Sequence, residues 1–549
     1  MKNELPAQIQ DWFKRRNWRL RSHQRDVLEA DAQGRSCLLI APTGAGKTLA
    51  GFLPSLVALA DPAMKDFSGL HTLYISPLKA LAVDVARNLT DPIGEMGLDI
   101  RVQTRTGDTP ASRKQRQRYD PPHILLTTPE QLALLLSHPD AQRLFRGMKR
   151  LVLDELHALV TSKRGELLSL GLARLARLAP ALRITALSAT VAQPNMLLDW
   201  IARPLAPRPA LLLQARGGVK PHVDILASSS PLPWAGHSAA YATPDLYRII
   251  AEHGTTLLFV NTRSQAESLF QRLWEINSDN LAIALHHGSL DVAQRRRVEK
   301  AMGEGRLKAV VCTSTLDLGI DWGDVDLVVQ IGAPKGASRM LQRIGRANHR
   351  LHEASAALFV PSNRFEVLEC EAALEAVHGG VQDSEDPVEG GLDVLAQHVL
   401  GMACAAPFDA VALHEEIRRA WPYRNLSWAQ FERVVDFVAT GGYALRAYER
   451  HARLRQTGDG RWRIANGRVA QQYRLNVGTI IEEPMVQVRL VAGGKKNPRG
   501  GRVLGKMEEY FFTQLTRGDT FLFAGEVVAF EGMRENVAHV TRSSAPSPR

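Results

Sequence analysis

Cysteine is scarce in this chain. Four residues, Cys37, Cys312, Cys370 and Cys404, occur in 549, far apart and with no C-x-x-C pair. Two of them sit in apolar, strand-like runs. This excludes a disulfide framework and points away from a thiolate metal site, toward buried thiols in a reducing compartment. Long apolar runs are also missing. No stretch of 18 apolar residues occurs, so neither a membrane span nor a membrane partner is expected. The opening residues, Met1-Lys2-Asn3-Glu4-Leu5-Pro6, lack the apolar core of a secretory leader. The expectation is a cytoplasmic protein. No internal repeat occurs beyond two α/β halves that share a rhythm and not a sequence.

What is present is ordinary globular material with a basic bias. A hydrophobic share of 45% is normal for packed cores, and this length accommodates about three or four domains. The formal net charge of +11 makes an anionic partner plausible, although a soluble protein can carry such an excess incidentally. Residues 1–201 alternate short apolar runs with helical patterns. The strand candidates are Cys37–Ile40, Thr72–Ile75, Ile124–Thr127, Leu151–Leu153 and Ile184–Leu187. That rhythm predicts βαβ units and a parallel sheet. After a Pro-rich link at 202–209 a second α/β rhythm runs to about residue 380, and the acidic stretch 382–391 marks the next boundary. Helical spacing at Leu392–Met402 and Val411–Ala420 follows, then a capping box at Ser427-Trp428-Ala429-Gln430, then alternation around Thr457-Gly458-Asp459-Gly460. Three helices and a hairpin predict a winged helix. From Gln471 the composition is β-rich.

The most informative stretch is Ala41-Pro42-Thr43-Gly44-Ala45-Gly46-Lys47-Thr48, between an apolar strand run and a helical run. Strand, glycine loop, helix is the context of a phosphate-binding loop. Backbone N–H groups of Thr43, Gly44, Ala45 and Gly46 would face phosphate oxygens, Lys47 would reach the β/γ-phosphates, and Thr48 would ligate Mg²⁺. Ala41 replaces the usual first glycine. Asp154-Glu155-Leu156-His157 follows a second strand: Asp154 suits Mg²⁺, Glu155 the attacking water, and His157 a relay. Ser188-Ala189-Thr190 ends a third, and its hydroxyls could bond the acidic box. In the second half, Gln342-Arg343-Ile344-Gly345-Arg346 is rich in guanidinium groups, one of which could reach the transferring phosphoryl group. Thr313 opens a run through Gly319 to Asp321, offering hydroxyls to a nucleic-acid backbone and Asp321 to the ribose.

This ordered set resembles helicase superfamily 2, DExH-box branch, and within it the large helicase-related family, most of all the bacterial ligase-associated DNA damage response helicases. The resemblance implies further assignments. Gln24 in Arg21-Ser22-His23-Gln24-Arg25 would read adenine. Pro77 and Lys79, Arg105, Thr106 and Gly107, Thr128 and Pro129 would touch the strand from the first lobe. Asn261, Thr262 and Arg263, His287 and Gly288, and Thr313 would touch it from the second. Gln342 and Arg346 would act in catalysis, with Arg350 a second candidate because the expected second arginine, three residues past Arg346, is His349. The implied architecture is α/β: two tandem RecA-like parallel-sheet lobes (1–201, binding ATP, and 202–389), a winged helix (390–470) and the β-rich start of a C-terminal domain (471–549) that family members usually continue. The implied activity is ATP- and Mg²⁺-dependent 3′-to-5′ movement on single-stranded DNA. Unwinding of DNA or RNA–DNA duplexes goes with it, in DNA repair, with ligase or nuclease partners by family habit. Two alternatives stay open: an RNA helicase or hybrid remodeller, and an ATP-gated clamp that binds without unwinding. Oligomeric state is not legible.

Overall fold

The computed structural model describes residues 5–42, 44–215, 220–317, 324–347, 354–380, 389–442, 452–478, 485–491, 501–534 and 536–545. Thr43 and Asp321, with Gly319 and Arg350, which the same resemblance assigns to the nucleotide, lie outside them. The chain divides into two compact units, Met1–Arg216 with Ser384–Ile480 and Gly217–Asp383 with Ile481–Arg549.

The first unit is built on seven strands: β1 (Ser36–Ile40), β2 (Thr72–Ile75), β3 (Val102–Arg105), β4 (Ile124–Thr127), β5 (Arg150–Leu153), β6 (Arg183–Ser188) and β7 (Ala210–Gln214). Their order is β3-β4-β2-β5-β6-β1-β7, and every neighbouring pair is parallel. β1, β2, β4 and β5 are buried throughout, which is why they read as continuous rather than alternating apolar runs. Successive residues still serve opposite faces. Leu73 and Ile75 join one apolar cluster, and Tyr74 joins the other with Phe52, Leu126 and Val152. β7 lies beyond residue 201 yet pairs with β1 along Ser36–Ile40. All strands being parallel, their carboxyl ends share one edge, where open α/β sheets bind ligands.

The winged helix belongs to this same unit. Helices Leu392–Ala405, Ala410–Ile417 and Trp428–Thr440 precede a hairpin of β14 (Leu454–Gln456) and β15 (Trp462–Ile464), and the helix Gly467–Leu475 follows. The capping box at Ser427 and Gln430 forms, and Gly441, at φ 81°, ends that helix in the left-handed conformation. Val399, Leu413, Ile417 and Phe431 share one apolar cluster with Leu132, Leu168 and Leu172 of the lobe. Arg174 and Arg177 both donate to Glu416, at 3.1 and 3.3 Å.

The second unit carries β8 (His222–Ile225), β9 (Thr256–Phe259), β10 (Ile283–His286), β11 (Ala309–Cys312), β12 (Leu327–Ile331) and β13 (Ala356–Val360), in the order β10-β11-β9-β12-β13-β8, all parallel. The β-rich end forms a sheet of β16 (Met485–Leu490), β17 (Arg502–Glu508), β18 (Thr520–Phe523), β19 (Glu526–Arg534) and β20 (Val537–Arg542) around Val488, Phe512, Phe521 and Val540. It meets the lobe by backbone pairing. Lys506 N–H donates to Ser289 O at 2.8 Å and Asp291 N–H to Leu504 O at 2.9 Å. Gly505 is required there, because a Cβ would sit 1.9 Å from Ser289 O. All four cysteines are buried and unpaired. Among the described residues no helix is long and apolar enough to cross a membrane.

Candidate nucleotide site and nucleic-acid interface

Gly44 and Gly46 adopt φ 78° and 73°, the left-handed turn that swings the chain from β1 into the helix Lys47–Leu59. Ala41 needs no such freedom: its N–H donates to Ser188 O at 3.1 Å and prolongs the β1–β6 ladder. The residue therefore tolerates a side chain where glycine is usual. Lys47 is 9% exposed and its Nζ donates to Ala41 O at 2.8 Å. The preceding helix, Ser22–Ala32, buttresses the loop. Arg21 Nη1 donates to Gly44 O at 3.2 Å, His23 Nε2 bonds Ala45 O at 2.9 Å, and Gln24 Nε2 donates to Gly46 O at 3.5 Å. Gln24 thus sits beside the loop, buried, with its Oε1 accepting from Arg21 N–H. Burial holds the His23 imidazole below its usual pKa.

The acidic box stands at the end of β5, two strands from β1. Asp154 is buried, its Oδ1 accepts from Glu155 N–H at 2.9 Å, and its Oδ2 accepts from Tyr74 Oη at 2.7 Å. Glu155 has φ 49°, a left-handed conformation that is strained for a residue with a Cβ and typical of functional turns. Burial, and then the Glu155 charge, push the Asp154 carboxyl upward; a bound cation opposes that shift. His157 Nε2 lies 3.5 Å from Glu155 Oε2, and its Nδ1 faces Ser188 Oγ at 3.1 Å and accepts from Ala189 N–H at 3.3 Å. The neutral ring therefore carries its proton toward Glu155. Burial lowers the His157 pKa despite that carboxylate. Glu155, His157 and the Ser188 hydroxyl are thus joined in one chain of contacts, and Thr190 is exposed. Among the described residues, no group of three or more His, Cys, Asp or Glu could hold a metal ion. A hydroxyl from Thr48 and a carboxylate from Asp154 are hard oxygen donors that suit Mg²⁺, which takes its remaining ligands from phosphates and water.

The other half of the edge, after β2, β4 and β3, carries the motifs of this lobe that the sequence reading assigned to a nucleic-acid strand. Lys79 is exposed and pairs with Asp108 at 3.3 Å, and Gly107 is exposed beside it. Pro77 is buried, its carbonyl accepting from Arg164 Nη1 at 2.6 Å, and Thr128 and Pro129 open the helix Pro129–Leu136. Thr106 accepts from Asp108 N–H at 3.3 Å. Arg105 is a correction. Its side chain is 4% exposed and Nη1 donates to Lys114 O at 2.7 Å, so the guanidinium anchors the helix Ala111–Tyr119 rather than standing on the surface. Burial brings its pKa down to about 10.

In the second unit, Asn261 Nδ2 donates to Ala333 O at 3.0 Å, Thr262 caps the helix Arg263–Glu275, Gly288 is exposed, and Thr313 N–H donates to His286 O at 3.3 Å. Arg263 and His287, both expected at the strand, are engaged by carboxylates of their own unit. Both Arg263 Nη atoms donate to Glu508 of β17, one at 2.9 Å. His287 is 1% exposed and bonds Glu267 Oε1 at 2.9 Å. Arg346 is likewise turned inward, 4% exposed, with Nη2 donating to Asp317 O at 3.1 Å. Arg343 takes the Asp317 carboxylate at 2.8 and 3.2 Å, and Arg339 Nε lies 3.8 Å from it, so three guanidiniums converge on one residue. Gln342 is part-buried on the helix Ala337–Ile344. Sequence reasoning missed Tyr74, Glu267 and Glu508. Their partners are distant in the chain, and the one local signal was a tyrosine hydroxyl inside an otherwise apolar strand.

Residues 21–197 match the DEAD/DEAH box helicase family, 242–350 the helicase conserved C-terminal domain, and 375–549 the large helicase-related protein, winged helix domain. The ATP-dependent helicase Lhr-Core of Methanocaldococcus jannaschii is 35% identical over 553 residues, covering 98% of this chain and 63% of that protein. The Lhr helicase/uracil glycosylase of Escherichia coli is 32% identical over 568 residues, covering 91% and 36%. Among solved structures, the Mycobacterium smegmatis helicase Lhr bound to ssDNA and AMP-PNP superposes with a TM-score of 0.77 at 33% identity, over 88% of this chain and 63% of that one. Two tandem parallel-sheet lobes with a phosphate loop and an acidic box define the class, a RecA-like helicase core of superfamily 2. The likeness to the large helicase-related family includes its winged-helix domain and, with the Methanocaldococcus jannaschii relative, runs along 98% of the chain. The chain spans less than two thirds of the length of these relatives.

Proposed function

We propose that this chain is an ATP-driven, 3′-to-5′ DNA helicase that tracks single-stranded DNA and opens DNA or RNA–DNA duplexes in DNA repair. One observation carries the reading most of the way. The phosphate loop, acidic box and Ser188 occupy one half of a single carboxyl edge, and the Lys79, Gly107 and Thr128 loops occupy the other half. A rigid sheet thereby links nucleotide state to strand contact. The matches to helicase family models support the same reading, as does the ssDNA bound by the Mycobacterium smegmatis relative.

In this reading Gln24 selects adenine, the loop amides and Lys47 hold the β/γ-phosphates, and Thr48 and Asp154 hold Mg²⁺, which neutralises phosphate charge when bound. Glu155 orients and deprotonates the attacking water, and His157 passes its state to Ser188. Arg346 of the second lobe is the proposed finger, which requires it to leave the Asp317 carbonyl. Phosphate-facing motifs give little sequence preference. The test is strand displacement on 3′-tailed and 5′-tailed duplexes, beside ATPase with and without single-stranded DNA, for wild type and Glu155→Gln. The expected result is displacement from the 3′ tail only, DNA-stimulated turnover, and a variant that binds ATP yet hydrolyses almost none. Equal displacement from both tails overturns the polarity. DNA stimulation of less than a few-fold makes the chain a clamp, and preference for an RNA tracking strand makes it an RNA helicase.

A further inference from the structure

Tyr74 is among the largest fully buried side chains of the molecule, at 0% exposure in the middle of the first sheet. It pairs with Leu126 of β4 on one side and Val152 of β5 on the other. Its ring stacks on Phe52 of the helix that follows the phosphate loop, with centroids 5.4 Å apart and planes 22° from parallel. A phenylalanine would fill that space equally well. The hydroxyl is therefore the informative atom, because a buried phenol needs a partner. Its partner is Asp154 Oδ2, at 2.7 Å. The other oxygen of that carboxylate accepts from Glu155 N–H at 2.9 Å. Two donors, one from the neighbouring strand and one from the turn, fix the carboxylate about its side-chain bonds.

We infer that Tyr74 is a positioning residue for the divalent cation that accompanies the nucleotide. Its hydroxyl holds Asp154 Oδ2 so that the remaining lone pairs of the carboxylate keep one orientation toward the cation. The ring, stacked on Phe52 of the helix bearing Lys47 and Thr48, supplies packing stability, while the hydroxyl supplies the orientation. Groups that orient a metal ligand from behind are worth about 10–100-fold in metal affinity or activity. The inference rests on the proposal that Asp154 meets the cation.

The test uses the full chain with a fluorescent ATP analogue, titrated with Mg²⁺ at fixed nucleotide, next to nucleotide affinity in EDTA. Tyr74→Phe should raise the Mg²⁺ midpoint about tenfold and leave the Mg²⁺-free affinity within about twofold. Phe52→Leu removes the stack and keeps the hydroxyl. It should lower the melting temperature without moving the Mg²⁺ midpoint, which separates positioning from packing. In an Asp154→Asn background, Tyr74→Phe should move the midpoint no further. A Tyr74→Phe midpoint within about twofold of wild type overturns the inference. An equal shift from Phe52→Leu, or a full shift persisting without Asp154, also overturns it. An Asp154→Asn protein whose midpoint equals wild type overturns instead the assignment of Asp154 to the cation, and the inference falls with it.

Discussion

Glu267→Ala should release the C-terminal sheet from the second lobe. Glu267 is 2% exposed on the helix Arg263–Glu275. Its Oε1 accepts from His287 Nε2 at 2.9 Å and from Ala524 N–H at 2.6 Å, and its Oε2 accepts from Gly525 N–H at 2.7 Å. The two amides come from the turn between β18 and β19. That turn presses on the same helix so closely that a Cβ at Gly525 would sit 2.7 Å from Phe270 Cε1. The substitution strands two half-buried amides and one buried imidazole. Hydrogen bonds to a charged group are worth about 1.5–3 kcal/mol each, and because three on one carboxylate do not add fully the expected loss is about 3–5 kcal/mol. At about 1.4 kcal/mol per tenfold, opening of the turn becomes roughly 10² to 4 × 10³ times more frequent. Native-state hydrogen exchange reads this directly. The amides of Ala524, Gly525 and β18 should lose protection by that factor, while those of β1 and β5 in the first unit stay as in wild type. Exchange of the turn within about threefold of wild type would refute the argument that this carboxylate latches the sheet.

Glu508→Gln removes the charge that holds Arg263, a part-exposed pair worth about 0.2–1 kcal/mol. Affinity for single-stranded DNA should rise about 1.4–5-fold at low salt and less at high salt. Fluorescence anisotropy that shows no change would separate Arg263 from the strand. The first unit should also lose stability on acidification. Burial brings His71 and His398 down to about 3, so both stay neutral in the fold while the unfolded chain takes up protons below about pH 6.5. Stability is full above that pH and falls as pH drops toward the folded values, by up to about 1.4 kcal/mol per histidine per pH unit. Urea midpoints at pH 7.5 and 5.0 measure this; equal midpoints would place both imidazoles in water.

The nucleotide half of the site was legible because each of its motifs is a short contiguous string whose chemistry depends on local backbone. The glycine pair of the loop, the box after a strand and the hydroxyl after another needed only the βαβ rhythm to be placed on one edge. The residues assigned to the strand were less legible because their availability depends on which neighbours claim them. Arg105 reads as an exposed cation until Lys114 O takes its guanidinium. Arg263 and His287 read as open contacts until Glu508 and Glu267 engage them.

The amino-acid order alone determined the class of machine: periodicity set two parallel sheets and a hairpin-bearing helical module, and fixed spacing set the phosphate loop and acidic box. Tertiary structure alone decided which polar groups remain available. Hydrogen bonds between residues such as Tyr74 and Asp154, or Arg263 and Glu508, join positions 80 and 245 apart in the chain. No local pattern encodes such pairs, because burial removes water as the competing partner only after the sheets have packed.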